Sequence, residues 1–435
     1  MFNRNEGRKP LLNWRKMKET YKDLLKIALP AMAENMLQMV MGMVDSYLVA
    51  FLGLVALSGV SVASNIMAIY QAIFIALAAA VASLLAQAVG QGDQEGISRA
   101  TGETLKLTVL LSGILGLLSI VFGQSLLGLL GTEPAVAQAG GLYLAIVGGG
   151  ILFLGLMTSL GAILRATGRT QLPMYISLLS NFLNAVLSAL AVFVMDWGIA
   201  GVAIGTVLSR LIACLILWRS LGISLPPLTL HLDRKLMALA LPATGERLMM
   251  RAGDVVVVGL ITGLGTAVLA GNAIGETLTQ FNYMPALGLA TATVILTAKA
   301  QGQSEKIDSI RKASLVLSLI FMYGVAVTVY LLGPHLIGLY TQDAVASQAS
   351  MLVLTFSLLG VPFTAGTLIY TALWQGLGNA KLPFYATSIG MWCVRILVAY
   401  LLLSFTDVGF AAIWIGTVLD NVFRAGFLAL FYGKR

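Results

Sequence analysis

The 435 residues are 58% hydrophobic and only 11% charged, where an ordinary soluble domain is roughly 25% charged. A water-soluble fold cannot cover that much apolar surface, which excludes a soluble enzyme or binding module and makes the bilayer the solvent. The net charge of +8 does not point to nucleic acid, because no basic patch is interleaved with aromatics outside the membrane edge.

The chain opens on a basic tail, residues 1–23, with Arg4, Arg8, Lys9, Arg15, Lys16, Lys18 and Lys22. It reads as a retained cytoplasmic segment lying on anionic membrane lipid. Twelve long apolar segments follow, at 25–50, 59–88, 101–123, 136–164, 172–195, 198–219, 236–262, 270–298, 310–332, 346–374, 383–405 and 409–431. Each is near the ~20 residues that cross hydrocarbon. The connections alternate. Those at 51–58, 124–134, around 196, 263–270, 333–345 and around 407 hold no Lys or Arg. The intervening ones and both termini hold most of the cations. Positive loops stay on the cytoplasmic side, so a multi-pass protein of the plasma or inner membrane is expected, with both termini in the cytoplasm.

The second half repeats the first at an offset near 212 residues. Leu29-Pro30 recurs as Leu241-Pro242, Glu34 as Glu246, Gly90-Gln91 as Gly302-Gln303 and Arg99 as Arg311. Farther on, Gly168 and Pro173 match Gly378 and Pro383, and "GIAGVAIGTV" (198–207) matches "GFAAIWIGTV" (409–418). Six spans per half give both halves the same orientation, as parallel repeats about an axis along the membrane normal. The expected fold is therefore all-α and integral to the membrane, with twelve transmembrane helices in two six-helix lobes related by pseudo-two-fold symmetry. The expected lobes are 24–220 and 236–435, joined by a cytoplasmic linker at 221–235 that contains Pro226-Pro227. Three glycines in "IVGGGILFLG" (146–155) suit close helix approach or a bend.

Ionisable groups within apolar spans are costly and mark function. Asp45 lies fifteen residues past Pro30 with no base nearby on its own helix. Glu34, Gln38, Met41 and Asp45 make one stripe at helical spacing, with Met32, Met36, Met39 and Met43 as a second stripe. The cost of a bare carboxylate in low dielectric suits such an acid to taking up and releasing a proton. Asn181, Asn184 and Ser188 share a face of the fifth span, and Thr206, Ser209 and Arg210 follow in the sixth; these are the candidate neighbours of Asp45. Glu34 reads as solvated near the membrane edge. In the second half, Arg247 and Arg251 are expected to neutralise Glu246 and Asp254, Asp420 and Arg424 form an i, i+4 pair, and Glu276 has no local base. Glu34, Gln38, Met41, Glu246, Asp254 and Glu276 are the candidates to line a substrate cavity. Cys214 and Cys393 sit in apolar helices, and His231 and His335 stand alone in connections, so no cofactor, metal site or enzyme chemistry is expected.

These pieces together resemble a known family. Pro30 with Asp45, "GQGD" (90–93), "LRATGRTQLP" (164–173), "NFLNAVLS" (181–188), "WGIAGVAIGTVLS" (197–209), "MPALGLATA" (284–292) and "QGLGNAKLP" (375–383) are similar to the multidrug and toxic compound extrusion (MATE) transporters over nearly the whole chain. Within that family the chain looks most like the prokaryotic DNA-damage-inducible F (DinF) branch. The resemblance implies an antiporter that exports amphipathic, often cationic, small molecules against entry of H⁺ or Na⁺, with one chain as the functional unit. It implies that Asp45 is the ion-coupling acid, with Asn184 and Thr206 as its partners. Ser188 stands where some members carry a second Asp, and the tenth span has no acid, so H⁺ is favoured over Na⁺. The alternative is a lipid-linked oligosaccharide flippase from a related two-lobe family, for which more spans and a strongly cationic cavity would be expected.

Overall fold

The computed structural model describes residues 9–129, 131–222 and 233–434, with side chains from residue 17 onward. Arg4 and Arg8, the side chains of Lys9, Arg15 and Lys16, and Pro226, Pro227 and His231 of the expected linker lie outside the described residues. Every described element is helical: α1 (Lys9–Ala50), α2 (Leu54–Gln91), α3 (Gln94–Leu129), α4 (Pro134–Tyr143), α5 (Ile151–Ala166), α6 (Gln171–Phe193), α7 (Gly198–Ser220), α8 (Arg234–Thr262), α9 (Thr266–Lys299), α10 (Ser304–Gly338), α11 (Ala344–Gly376), α12 (Lys381–Ile389), α13 (Leu397–Phe405) and α14 (Ala411–Gly433). Short π-helical segments, Leu144–Gly148 and Gly390–Ile396, join α4 to α5 and α12 to α13. An all-helical answer is what lipid demands, since each helix satisfies its own backbone groups.

Ten helices are long and apolar enough to cross a membrane, counting Lys381–Phe405 as one, and α4 with α5, bent by 46° at their junction, make an eleventh span. The remaining segment, α8, carries Glu246, Arg247, Arg251 and Asp254 in its middle and completes the twelve expected. The bend falls at the three glycines. A Cβ on Gly148 would meet the Ser119 side chain at 2.5 Å, and one on Gly150 would meet Val207 at 2.9 Å. Close approach and bending thus occur at the same place.

The chain forms two compact units: Ala33–Thr244, and Met1–Met32 together with Gly245–Arg435. Both boundaries fall just past a proline inside a helix, Pro30 of α1 and Pro242 of α8. A proline there removes one rung of the helical hydrogen-bond ladder and crowds the preceding turn.

The internal repeat is visible in backbone geometry. Gly92 and Gly302 both adopt left-handed φ values, 71° and 86°, at the turns that follow α2 and α9. Only glycine takes that conformation freely. The structural counterpart of Gly302 is therefore Gly92, not Gly90 as the sequence match suggests. A close helix contact is repeated as well. A Cβ on Gly59 of α2 would sit 2.6 Å from Gly140 N and 2.9 Å from Val136 O of α4. One on Gly271 of α9 would sit 2.4 Å from Ala346 O of α11. Where the first half has Gly140, the second has Ser350, whose hydroxyl donates to Gly271 O at 2.8 Å. Small residues that admit backbone contact are the general device of helix packing in lipid.

Gly59→Val or Gly271→Val must displace backbone, and overpacking of this kind costs roughly 1–3 kcal/mol. Each variant is expected to melt several degrees lower in detergent. Gly113→Ala, at a site with open space around it, is expected to melt at or slightly above the parent temperature; thermal unfolding followed by size-exclusion chromatography checks all three.

Candidate functional site

Asp45 is the centre of a polar constellation inside the unit Ala33–Thr244. α1 is continuous through it, so Glu34, Gln38, Met41 and Asp45 do share a face. α6 supplies the partner. Asn184 Nδ2 donates to both carboxylate oxygens of Asp45, at 2.8 and 3.0 Å. Ser188 Oγ, one turn along α6, donates to Asn184 Oδ1 at 3.3 Å. The hydroxyl thus turns the amide so that its NH₂ faces the acid. Asn184 and Ser188 are buried and Asp45 is half-buried. The amide donates most strongly to the ionised carboxylate, but it carries no charge of its own, so the acid can take up a proton without breaking an ion pair.

α7 forms the next wall. Thr206 Oγ1 donates to Val202 O at 3.0 Å and lies within hydrogen-bond reach of the Tyr143 phenol at the end of α4. Ser209 Oγ donates to Thr206 O at 2.9 Å. Tyr143 is part of the apolar cluster of Val49, Val60, Leu144, Val147 and Val202, which closes the site on that side. Arg210 stands within electrostatic reach of both Asp45 and Tyr143. The acid therefore has a base near it after all, contributed by another helix rather than its own. Asn181 is one turn from Asn184, and its Nδ2 is buried without a partner. Tyr143 is invisible to sequence reasoning, because an isolated Tyr in an apolar span carries no pattern. Arg210 is legible as a charge in a span, but its place beside Asp45 is not.

The other candidates fall elsewhere. Glu34 accepts Arg165 Nη1 of α5 at 2.7 Å, with side-chain exposures of 15% and 12%. It is ion-paired rather than solvated at an edge, because Arg165 at the end of α5 reaches across to α1. Gln38 is exposed and Met41 half-buried. In the unit that contains Gly245–Arg435, Glu246 is buried and accepts Thr387 Oγ1 at 3.2 Å and Gln375 Nε2 at 3.4 Å. Asp254 pairs with Arg395 of the second π segment at 3.2 Å, while Arg251 is exposed. Arg247 of α8 lies within electrostatic reach of Glu246 as expected, with Arg424 beside it, whereas the expected partner of Asp254, Arg251, is replaced by Arg395 from another helix. Glu276 is not without a base either: Arg395 lies within electrostatic reach of it, and Asn272 is one turn away on α9. The expected pair Asp420–Arg424 forms at 3.1 Å. No cluster of three His, Cys, Asp or Glu side chains able to hold a metal occurs among the described residues.

Comparison with known proteins places the chain in a family. The family model described as MatE covers residues 30–190 and 242–401, two blocks that begin at Pro30 and Pro242. The chain is 26% identical to the "Probable multidrug resistance protein NorM" of Thermotoga maritima over 428 residues, 95% of this chain and 92% of that protein. It is 27% identical to the protein of the same name from Bradyrhizobium diazoefficiens over 436 residues, covering 95% and 93%. Among solved structures, a MATE protein in the straight conformation superposes with a TM-score of 0.88 at 21% identity and 96% coverage of each chain. A mutant of the Vibrio cholerae MATE transporter VcmN gives 0.89 at 19% identity, covering 97% of this chain and 98% of that one. At these identities the superpositions establish the fold. The family match covers both halves of the repeat, and the chain belongs to the MATE (MatE) family of membrane transporters.

Proposed function

We propose that the protein exports amphipathic small molecules, multidrug type included, in exchange for protons that Asp45 carries. The observation that carries this reading is the Asp45 carboxylate in a membrane-spanning helix, held by the neutral amide of Asn184. The names of the relatives, each printed as "Probable multidrug resistance protein NorM" and matched over 92% and 93% of its length, support the cargo class. The single carboxylate, with Ser188 on the next turn of α6, supports H⁺ ahead of Na⁺, which prefers several oxygen ligands, carboxylates among them.

In the proposed cycle Asp45 takes up a proton from outside while cargo is bound. Neutralising the acid removes the electrostatic partner of a cationic group, and the cargo leaves. The lobes then expose the site to the cytoplasm, the proton departs and fresh cargo binds. Exchange follows only if proton and cargo have opposed affinities for one state. The orientation comes from the basic loops, with both termini cytoplasmic.

Asp45→Asn keeps the shape and one acceptor for Asn184 Nδ2 but cannot ionise. It is expected to insert normally and to abolish pH-gradient-driven efflux of a cationic dye from proteoliposomes; gradient-driven efflux at the wild-type rate rejects the reading. Asn184→Ala removes a hydrogen bond to a charged group, worth about 1.5–3 kcal/mol. A loss of about 10- to 100-fold in efflux is expected at unchanged insertion. Imposing proton and sodium gradients separately tests the ion: efflux is expected with the first alone, and efflux driven by sodium alone overturns the assignment of H⁺.

A further inference from the structure

The unit that contains Gly245–Arg435 has a polar cavity of about 10 Å³ among α9, α10, α11 and α14, lined in part by Asn282, Tyr283, Ser357, Gly360, Thr364 and Asn421. Asn282 is only 3% exposed. Its Nδ2 donates to Ser357 Oγ at 3.0 Å, and its Oδ1 is buried with no hydrogen-bond partner among the described residues. Turning the amide over exchanges an orphan acceptor for an orphan donor and leaves one polar atom unpaired all the same. The repeat shows how the space arises. Asn282 answers to Tyr70 at the 212-residue offset, and Tyr70 fills its place by packing with Phe74, Ile151 and Leu154. Gly360 and Val418 answer to Gly150 and Val207. A Cβ on Gly150 would lie 2.9 Å from Val207, but one on Gly360 would lie 3.5 Å from Val418. The same joint is tight in the first half and opened in the second.

Two prolines border the opening, Pro285 inside α9 and Pro362 inside α11. Each deprives the carbonyl four residues earlier of its helical donor. Those residues, Phe281 and Leu358, adjoin the lining residues Asn282 and Ser357 in sequence. Ordered water is one means by which broken helices in membranes recover such groups. The chemistry of the lining selects the same occupant. It must offer a hydrogen to Asn282 Oδ1, which excludes a bare anion. A metal cation would find no carboxylate in the lining among the described residues, and Asn421 Oδ1 already accepts from Arg424 Nη2 at 3.3 Å. Water donates and accepts, and the volume is near the minimum of about 10–15 Å³ that holds one molecule. We propose that this cavity is the site of one resident water, bonded to the Asn282 amide and joining α9 to α11 where their prolines interrupt them. The second half is thereby braced at two broken helices without another charged group.

Crystals of the full-length protein grown in sodium and, in parallel, in thallium test the occupant. Density for one water is expected about 2.7–3.2 Å from the Asn282 amide, with no anomalous peak there in thallium. A dry cavity overturns the proposal, and so does a thallium peak, which assigns the site to a monovalent cation instead. Melting temperatures in detergent test the bracing. Gly→Ala inside a helix ordinarily stabilises it, and a Cβ on Gly360 has room. Gly360→Ala is nevertheless expected to melt about 1–4 °C below the parent, because its methyl group displaces the water and leaves Asn282 unpaired. In an Asn282→Leu background, which has no amide to orphan, the same substitution is expected to raise the melting temperature. Equal changes in the two backgrounds overturn the role given to the water. Should Asn282→Leu fail to fold, Gly360→Ala decides alone, with a rise overturning that role.

Discussion

The hydrogen bond from Asn184 to Asp45 is the interaction on which the functional architecture rests. Carboxylates inside membrane proteins are ordinarily disarmed by a base, and three other acids of this chain illustrate it: Glu34 by Arg165, Asp254 by Arg395 and Asp420 by Arg424. Asp45 receives an amide instead. An amide stabilises a charge without cancelling it. The acid is left able to change its protonation state without breaking an ion pair, while Ser188 fixes the orientation of the amide from behind.

The two halves share a geometry and divide the chemistry. The positions that answer to Asp45, Tyr143 and Asn184 in the second half are Val257, Val353 and Val394. Val257 and Val353 pack in one apolar cluster with Ile413 and Trp414. The second half's own charges lie at other levels of its helices, most of them paired. Pairing of this kind adds little net stability once desolvation is counted, yet breaking one partner away is costly. The second half thus reads as a scaffold with compensated charges, and the first as the half that holds a carboxyl group bonded to an amide and in no ion pair.

Much of this is legible from the sequence, for reasons that are physical. Apolar length and loop charge are imposed by lipid on each segment separately, so the twelve segments can be read one at a time. The stripe from Glu34 to Asp45 and the face of Asn181, Asn184 and Ser188 follow from helical periodicity alone. The failures share one cause. The partners of Glu34 and Asp254 come from helices more than a hundred residues away, and Arg210 lies within electrostatic reach of Asp45 from α7; no spacing rule along one helix encodes such pairings. The break at Leu144–Gly148 is foreshadowed by its glycines, but the placement of Tyr143 beside Thr206 depends on packing across α4 and α7.

The contact between Gly271 and Ser350 has a consequence for how such a molecule can diversify. In both halves backbone meets backbone at this crossing; in the first neither facing residue has a side chain, while in the second the Ser350 hydroxyl also bonds across to Gly271 O. One architectural joint therefore tolerates two different solutions. A duplicated protein whose joints are interchangeable in this way can let one copy drift towards rigidity while the other keeps its reactive groups, and lose neither its outline nor its register.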